Sequence, residues 1–207
     1  MKAAVLKGNL FAGAVVLTVS AVLLASGSGF MRTWFYSFAW WAAILILDSI
    51  NHRLSGSSPL SRSFTYFLVS AFVSVSVWLV FELYNLALNN WKYHHLPPET
   101  EIRWLGYFIA FATVIPALQE LADLWSSHFK KKSISFFRIP STSAVRLGFI
   151  AAGIISLTVT VFVPKWTFPL VWLGFIFLLD PVNFMHDRLS LLRDLSQNQW
   201  NRFFSWA

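Results

Sequence analysis

The stretch FTYFLVSAFVSVSVWLVFELYNLAL, running from Phe64 to Leu88, decides the fold class. Coiled as an α-helix it reaches roughly 37 Å, more than the hydrocarbon thickness of a bilayer, and Glu82 is its one acidic or basic residue. The whole chain agrees. With 57% hydrophobic residues, 12% charged residues and a mean hydropathy of +0.59, its 207 residues carry too little polar surface to coat a water-soluble globule. Cys is absent, which excludes disulfides, thiolate metal sites and cysteine catalysis.

Working outward from that helix, five further segments read as spans: Leu10–Ala25, Trp34–Ile50, Trp104–Leu124, Val145–Val163 and Phe168–Phe184. The expectation is an all-α polytopic transmembrane helical bundle of about six spans, forming one transmembrane domain over residues 1–207. Basic residues orient it. With the N-terminus inside, Lys2, Lys7, Arg53, Arg62, Lys130, Lys131, Lys132, Arg138, Arg146, Arg188, Arg193 and Arg202 fall on one side, against Arg32, Lys92, Arg103 and Lys165 on the other. Trp34, Trp91, Trp104 and Trp166 then stand at outer boundaries, where an indole favours the headgroup layer. The expected place is the plasma (inner) membrane, with both termini cytoplasmic. Lys2 and Lys7 before an apolar run ending in Ala25-Ser26-Gly27 also fit a secretory signal peptide, but cleavage would upset this charge balance. A retained first helix is expected. The basic excess belongs to cytoplasmic loops, and no nucleic-acid fold signature accompanies it.

Four acids interrupt or end these apolar runs, each followed three residues later by Asn or Asp: Asp48/Asn51, Glu82/Asn85, Glu120/Asp123 and Asp180/Asn183. An ionisable group inside a membrane helix costs about 2.5–3.5 kcal/mol on insertion scales, so the pairs suggest interior sites. Around Glu82, Trp78-(x3)-Glu82-(x2)-Asn85 places indole, carboxylate and carboxamide on one helical face, with Asn90, Trp91 and Tyr93 following. Pro116 precedes Glu120 by four residues and cannot donate to the Ala112 carbonyl, which predicts a kink. The candidate catalytic residues are Glu82, Asn85, Glu120 and Asp123, and the candidate substrate-binding residues are Trp78, Asn90, Trp91 and Tyr93. Asp48, Asn51, Asp180 and Asn183 form a second candidate cluster, beside the Lys130–Lys132 run, that suits Mg²⁺ or an anionic headgroup. The alternative is that these inner residues cap helix ends. No metal site is assigned: His94-His95 lack the spacing that aims two imidazoles at one ion, and no phosphate loop, nucleophile elbow or HExxH occurs. Ser70/Ser74 and Gly148/Ala152/Ser156 read as packing stripes of small residues.

The chain also repeats itself. Trp40-(x7)-Asp48-(x2)-Asn51 matches Trp172-(x7)-Asp180-(x2)-Asn183, with Ile44/Ile176, Leu47/Leu179 and Ile50/Val182 in register. Both copies run outside to inside in the assigned topology, so the repeat is expected to be parallel. Beyond the second copy, Phe203-Phe204-Ser205-Trp206-Ala207 reads either as the opening of another helix in a longer duplicated protein or as a terminal amphipathic helix. In the latter, Leu189, Leu192, Trp200, Phe203 and Phe204 share a side.

The runs Phe81-Glu82-Leu83-Tyr84-Asn85, Asn90-Trp91-Lys92-Tyr93, Ile115-Pro116 with Glu120, and Leu179-Asp180-Pro181-Val182-Asn183 resemble an uncharacterised family of bacterial multi-spanning membrane proteins. The resemblance implies the fold and carries no activity. A fainter likeness is to membrane-embedded lycopene cyclases, to which Trp91-Lys92-Tyr93 followed by Pro98-Glu99-Thr100-Glu101 is similar in order. The chain lacks their Pro-Trp-Asp element and their adjacent glutamates.

Three functions fit these residues. A structural or assembly protein would use the polar pairs as interhelical hydrogen bonds. A membrane enzyme would use a buried acid on an isoprenoid or lipid, and a carrier would use the same acids for a proton or small cation. The bilayer is the expected partner in each; no cofactor or oligomeric state follows from the residues.

Overall fold

The computed structural model describes residues 2–129 and 136–206, the side chains of residues 2–7, 128–129, 203 and 205–206 excepted. The Lys130–Lys132 run and the side chains of Lys2, Lys7 and Phe203 thus lie outside the described residues. The chain is all-α, with no strand among the described residues. In order the helices are α1 (Lys2–Ala25), α2 (Gly29–Ser55), α3 (Pro59–Arg62), α4 (Phe64–Leu88), α5 (Thr100–Phe111), α6 (Val114–Phe129), α7 (Ser143–Phe162), α8 (Pro164–Thr167), α9 (Pro169–Met185), α10 (Leu191–Ser196) and α11 (Trp200–Trp206).

Five stretches are long and apolar enough to cross a membrane: Gly8–Ala25, Gly29–Ser55, Phe64–Leu88, Thr100–Ser127 and Ser143–Phe162. The sixth expected span, α9, is shorter at 17 residues, which is the lower limit for crossing. Pro164 and Pro169 set its late start, because each occupies a first helical turn that needs no N–H donor. Their outer faces are apolar as well: Phe72, Leu86 and Phe162 are exposed, Leu86 by 82%, as suits a lipid environment.

The chain divides into two compact units, one of residues 1–81 and 93–127, the other of residues 82–92 and 128–207. In the first, α1 packs along α2 at Gly13, where a Cβ would come within 2.8 Å of both the Ala42 carbonyl oxygen and Ile46 Cγ1. The second has the same device: a Cβ on Gly153 of α7 would meet the Gly174 carbonyl at 2.9 Å and the Leu178 amide at 2.7 Å on α9. Ala42/Gly174 and Ile46/Leu178 are in the register of the Asp48/Asp180 repeat, so the internal similarity extends to the helix before each motif. The small-residue reading of α7 needs one correction. Gly148 faces open space, and Gly153 is the point of close approach.

The span from Thr100 is discontinuous. Pro116 cannot supply an N–H to Ala112, and α5 ends at Phe111. The rung above is also open, and Ser74 of α4 fills it: its hydroxyl donates to the Phe111 carbonyl at 2.5 Å and accepts from the Ile115 amide at 3.0 Å. A side chain taken for packing is thus inserted into a helix ladder.

After α9 the chain forms a strap. The Trp200 indole donates to the Phe137 carbonyl at 2.9 Å and the Ile139 amide to the Leu195 carbonyl at 3.3 Å, while Leu192 and Leu195 are buried. Only part of the expected apolar side is covered, because Leu189 and Phe204 are exposed.

Candidate functional site

Each copy of the repeated motif uses its aspartate to hold the loop that follows. Asp180 lies near the end of α9, and its carboxylate accepts from the Ser190 hydroxyl at 3.0 Å, the Leu191 amide at 2.7 Å and the Leu192 amide at 2.9 Å. These amides are the free first donors of α10, so a carboxylate there completes the helix start. Asp48 meets the start of α3 in the same register but receives a single donor, the Leu60 amide at 3.0 Å. Trp40 and Trp172, eight residues before each aspartate, are 36% and 37% exposed and each contacts an aromatic ring four residues back, Tyr36 and Phe168 respectively.

The two copies part at the asparagine. Asn51 is 1% exposed, and its Nδ2 donates to Glu120 twice, to Oε2 at 2.7 Å and to the main-chain carbonyl at 2.8 Å. Asn183 is exposed and lines a cavity of about 400 Å³ with Leu179, Asp180 and Asp194. Coverage explains the difference. Ile44 is fully buried with Phe67 and Ala117, from α4 and α6, whereas its counterpart Ile176 is 40% exposed. Burial pushes the nearby Asp194 carboxyl above the ordinary carboxylate range, against the pull of Arg202 at 3.5 Å.

Asp48, Asn51 and Glu120 form the most closed polar group of the first unit. Asp48 and Glu120 are both 0% exposed, and their side chains lie within hydrogen-bonding reach of each other. Three oxygens there are buried without a partner: Asp48 Oδ2, Asn51 Oδ1 and Glu120 Oε1. Asp123, one turn beyond Glu120, is engaged elsewhere, in a 2.7 Å ion pair with Arg62. His52 is tied to Ser61 at 3.1 Å.

The other expected residues fall into two groups. In the second unit, Asn85 binds the loop after α4 with both ends of its carboxamide: Oδ1 accepts from the Asn90 and Trp91 amides at 2.9 and 3.1 Å, and Nδ2 donates to the Trp91 carbonyl at 2.9 Å. Glu82 accepts from the Trp91 indole at 3.1 Å. Glu82, Asn85, Asn90 and Trp91 therefore act together as a loop clamp. Asn85→Ala is expected to release it at a cost of about 2 kcal/mol, since three backbone groups lose partners at a half-wet site; thermal unfolding with limited proteolysis at residues 89–92 measures this. In the first unit the Trp78 indole donates to the Tyr93 hydroxyl at 3.3 Å, and Tyr107 stacks on Phe111 at 5.5 Å beside them. Glu82 and Glu120 belong to different units.

Sequence reasoning passed over Pro59 and Ser58 and read Ser74 as packing alone. A signal for Ser58 existed, since Ser190 stands at the matching place in the other copy, ten residues after its aspartate. A groove of about 660 Å³ in the first unit, lined by Val16, Phe30, Trp34, Phe38, Trp41 and Ile109, is almost wholly apolar. Compared with family models, curated proteins and solved structures, the chain has no match.

Proposed function

We propose that this integral membrane protein is a carrier for a small cation and that Asp48, Asn51 and Glu120 bind it. The observation that carries the reading is the trio of buried, unpartnered oxygens in a helical bundle built for lipid. Unsatisfied buried acceptors cost about 1–3 kcal/mol each, and a structural cap such as Asp180 leaves none. The break between α5 and α6 supports it, because a discontinuous helix beside an acid allows one half to move without the other. Asp180, Asn85 and Glu82 are read as architecture, which keeps the structural role for those pairs and removes it from the first.

The test is flux in liposomes carrying the purified full chain. Wild type is expected to collapse an imposed proton, Na⁺ or K⁺ gradient at least tenfold faster than Glu120→Gln. Equal rates in the two, or rates no higher than in empty liposomes, would sink the reading.

A second reading, an enzyme on an isoprenoid or lipid with Glu120 as general acid, is supported by the apolar groove. Trp41 borders that groove and also packs against Ile44, Phe67 and Ala117, and the likeness to lycopene cyclases points the same way. A polyisoprenoid retained through purification and lost when Trp41→Ala opens the groove would favour it.

The topology proposal is a cytoplasmic N-terminus and a parallel repeat. Single cysteines at Lys131, Ser57 and Arg188 in the natural Cys-free chain are expected to react only from the cytoplasmic side. Labelling of Ser57 and Arg188 from opposite faces would mean an inverted repeat.

A further inference from the structure

The loops after Asp48 and Asp180 match position by position: Ser58 with Ser190, Pro59 with Leu191, Leu60 with Leu192. In the second copy all three positions donate to the aspartate. In the first, only Leu60 does. Pro59 stands where Leu191 donates, and proline has no N–H. Ser58 caps its helix as Ser190 does, its hydroxyl oxygen accepting from the Ser61 amide at 3.4 Å, so the missing donor that separates the copies is the amide that Pro59 lacks. Asp48 Oδ2 is buried without a donor.

The acidic neighbour of Asp48 supplies no donor either. Glu120 is within hydrogen-bonding reach of Asp48, and its Oε1 is likewise without a partner. The Asn51 carboxamide presents Nδ2 to the Glu120 main-chain carbonyl, which accepts only, so the orientation of the amide is fixed and both its hydrogens are used on Glu120. Two further side chains are engaged elsewhere: Arg62 on Asp123, and the His52 imidazole on Ser61. Two carboxylates within reach of each other in a site closed to solvent repel, and one hydrogen between them removes the repulsion.

We infer that Asp48 and Glu120 hold one proton between them, so that the pair carries a single negative charge, and that Pro59 keeps the proton there by withholding the backbone donor its counterpart supplies to Asp180. The proton comes from bulk water and forms an O–H on one carboxyl that donates to the other. The cation of the carrier reading is then a proton, and this inference rests on that reading for its site but not for its test.

The experiment is infrared spectroscopy of the full chain in lipid nanodiscs. At neutral pH, wild type is expected to show a carboxylic-acid C=O band that shifts in D₂O. The band is expected to vanish in Glu120→Gln and in Asp48→Asn and to be unmoved by Na⁺ or K⁺. Pro59→Leu, which copies Leu191 and keeps both acids, carries the test if either acid variant does not fold. It is expected to lower proton affinity about tenfold, so the band disappears about one pH unit lower. A wild type without such a band, or a band removed by Na⁺ or K⁺, overturns the shared proton; a Pro59→Leu profile identical to wild type overturns the role of Pro59. A band without flux removes transport alone, and flux without a band removes this inference alone.

Discussion

Asp180→Ala is expected to lower the stability of the second unit by on the order of 4 kcal/mol, because it strips the acceptor from three donors at once. The Ser190 hydroxyl and the Leu191 and Leu192 amides all end on this carboxylate, and Leu192 is fully buried, so water does not replace what is lost. Asp180→Asn should fall between, since its amide brings two hydrogens toward a place already filled with N–H and O–H groups. The matched change in the first unit should behave otherwise. Asp48 accepts from one donor and leaves one oxygen unpartnered, and an asparagine keeps the first while giving Glu120 a donor. Its stability should stay within about 1 kcal/mol of wild type. Thermal unfolding in detergent ranks the three variants; an Asp48→Asn protein less stable than Asp180→Ala would refute the distinction between the copies.

Gly153→Leu is expected to separate α7 from α9 and abolish stable expression. The first added carbon would lie 2.7 Å from the Leu178 amide nitrogen, 2.9 Å from the Gly174 carbonyl and 3.0 Å from Leu178 Cα. These are backbone atoms, which give way only if the helices part. Even Gly153→Ala should cost about 2–3 kcal/mol. Gly174→Ala is the milder case, because its Cβ would meet the Leu157 side chain at 2.8 and 2.9 Å and the backbone, at the Gly153 carbonyl, only at 3.3 Å. A cost of about 1 kcal/mol or less is expected there. Folded yields from membranes and unfolding temperatures measure all three. Equal effects of alanine at the two glycines would mean that the helices are not in backbone contact.

The span pattern, the broken helix at Pro116 and the Asp48/Asp180 repeat were legible because apolar length, a missing N–H and a fixed spacing are properties of the sequence itself. Which face of a span is covered was not. In a membrane helix both the lipid side and the protein side are apolar, so Ile44 and Ile176 read alike although one is buried and the other 40% exposed. The candidate groups set Glu120 apart from Asp48, and nothing in the spacing said that Asn51 would take both carbonyl and carboxylate of a residue 69 positions away. The meaning of Pro59 was hidden for the opposite reason. It lies where proline is at home, at the first position of a short helix, and only the other copy shows which bond it removes.

Ser74 makes the joint of one helix depend on a side chain of another. A helix whose rung is closed by its own amide and carbonyl is welded, whereas the rung between Phe111 and Ile115 is closed by a hydroxyl borrowed from α4. Ser74 is 1% exposed, so no water stands ready to take the place of that hydroxyl. Ser74→Ala would leave the Phe111 carbonyl and the Ile115 amide without that link, and the joint between α5 and α6 would lose its hydroxyl from α4. Glu120 rides on α6, just beyond that joint. Ser74 is in this sense a dowel set by one shaft into another.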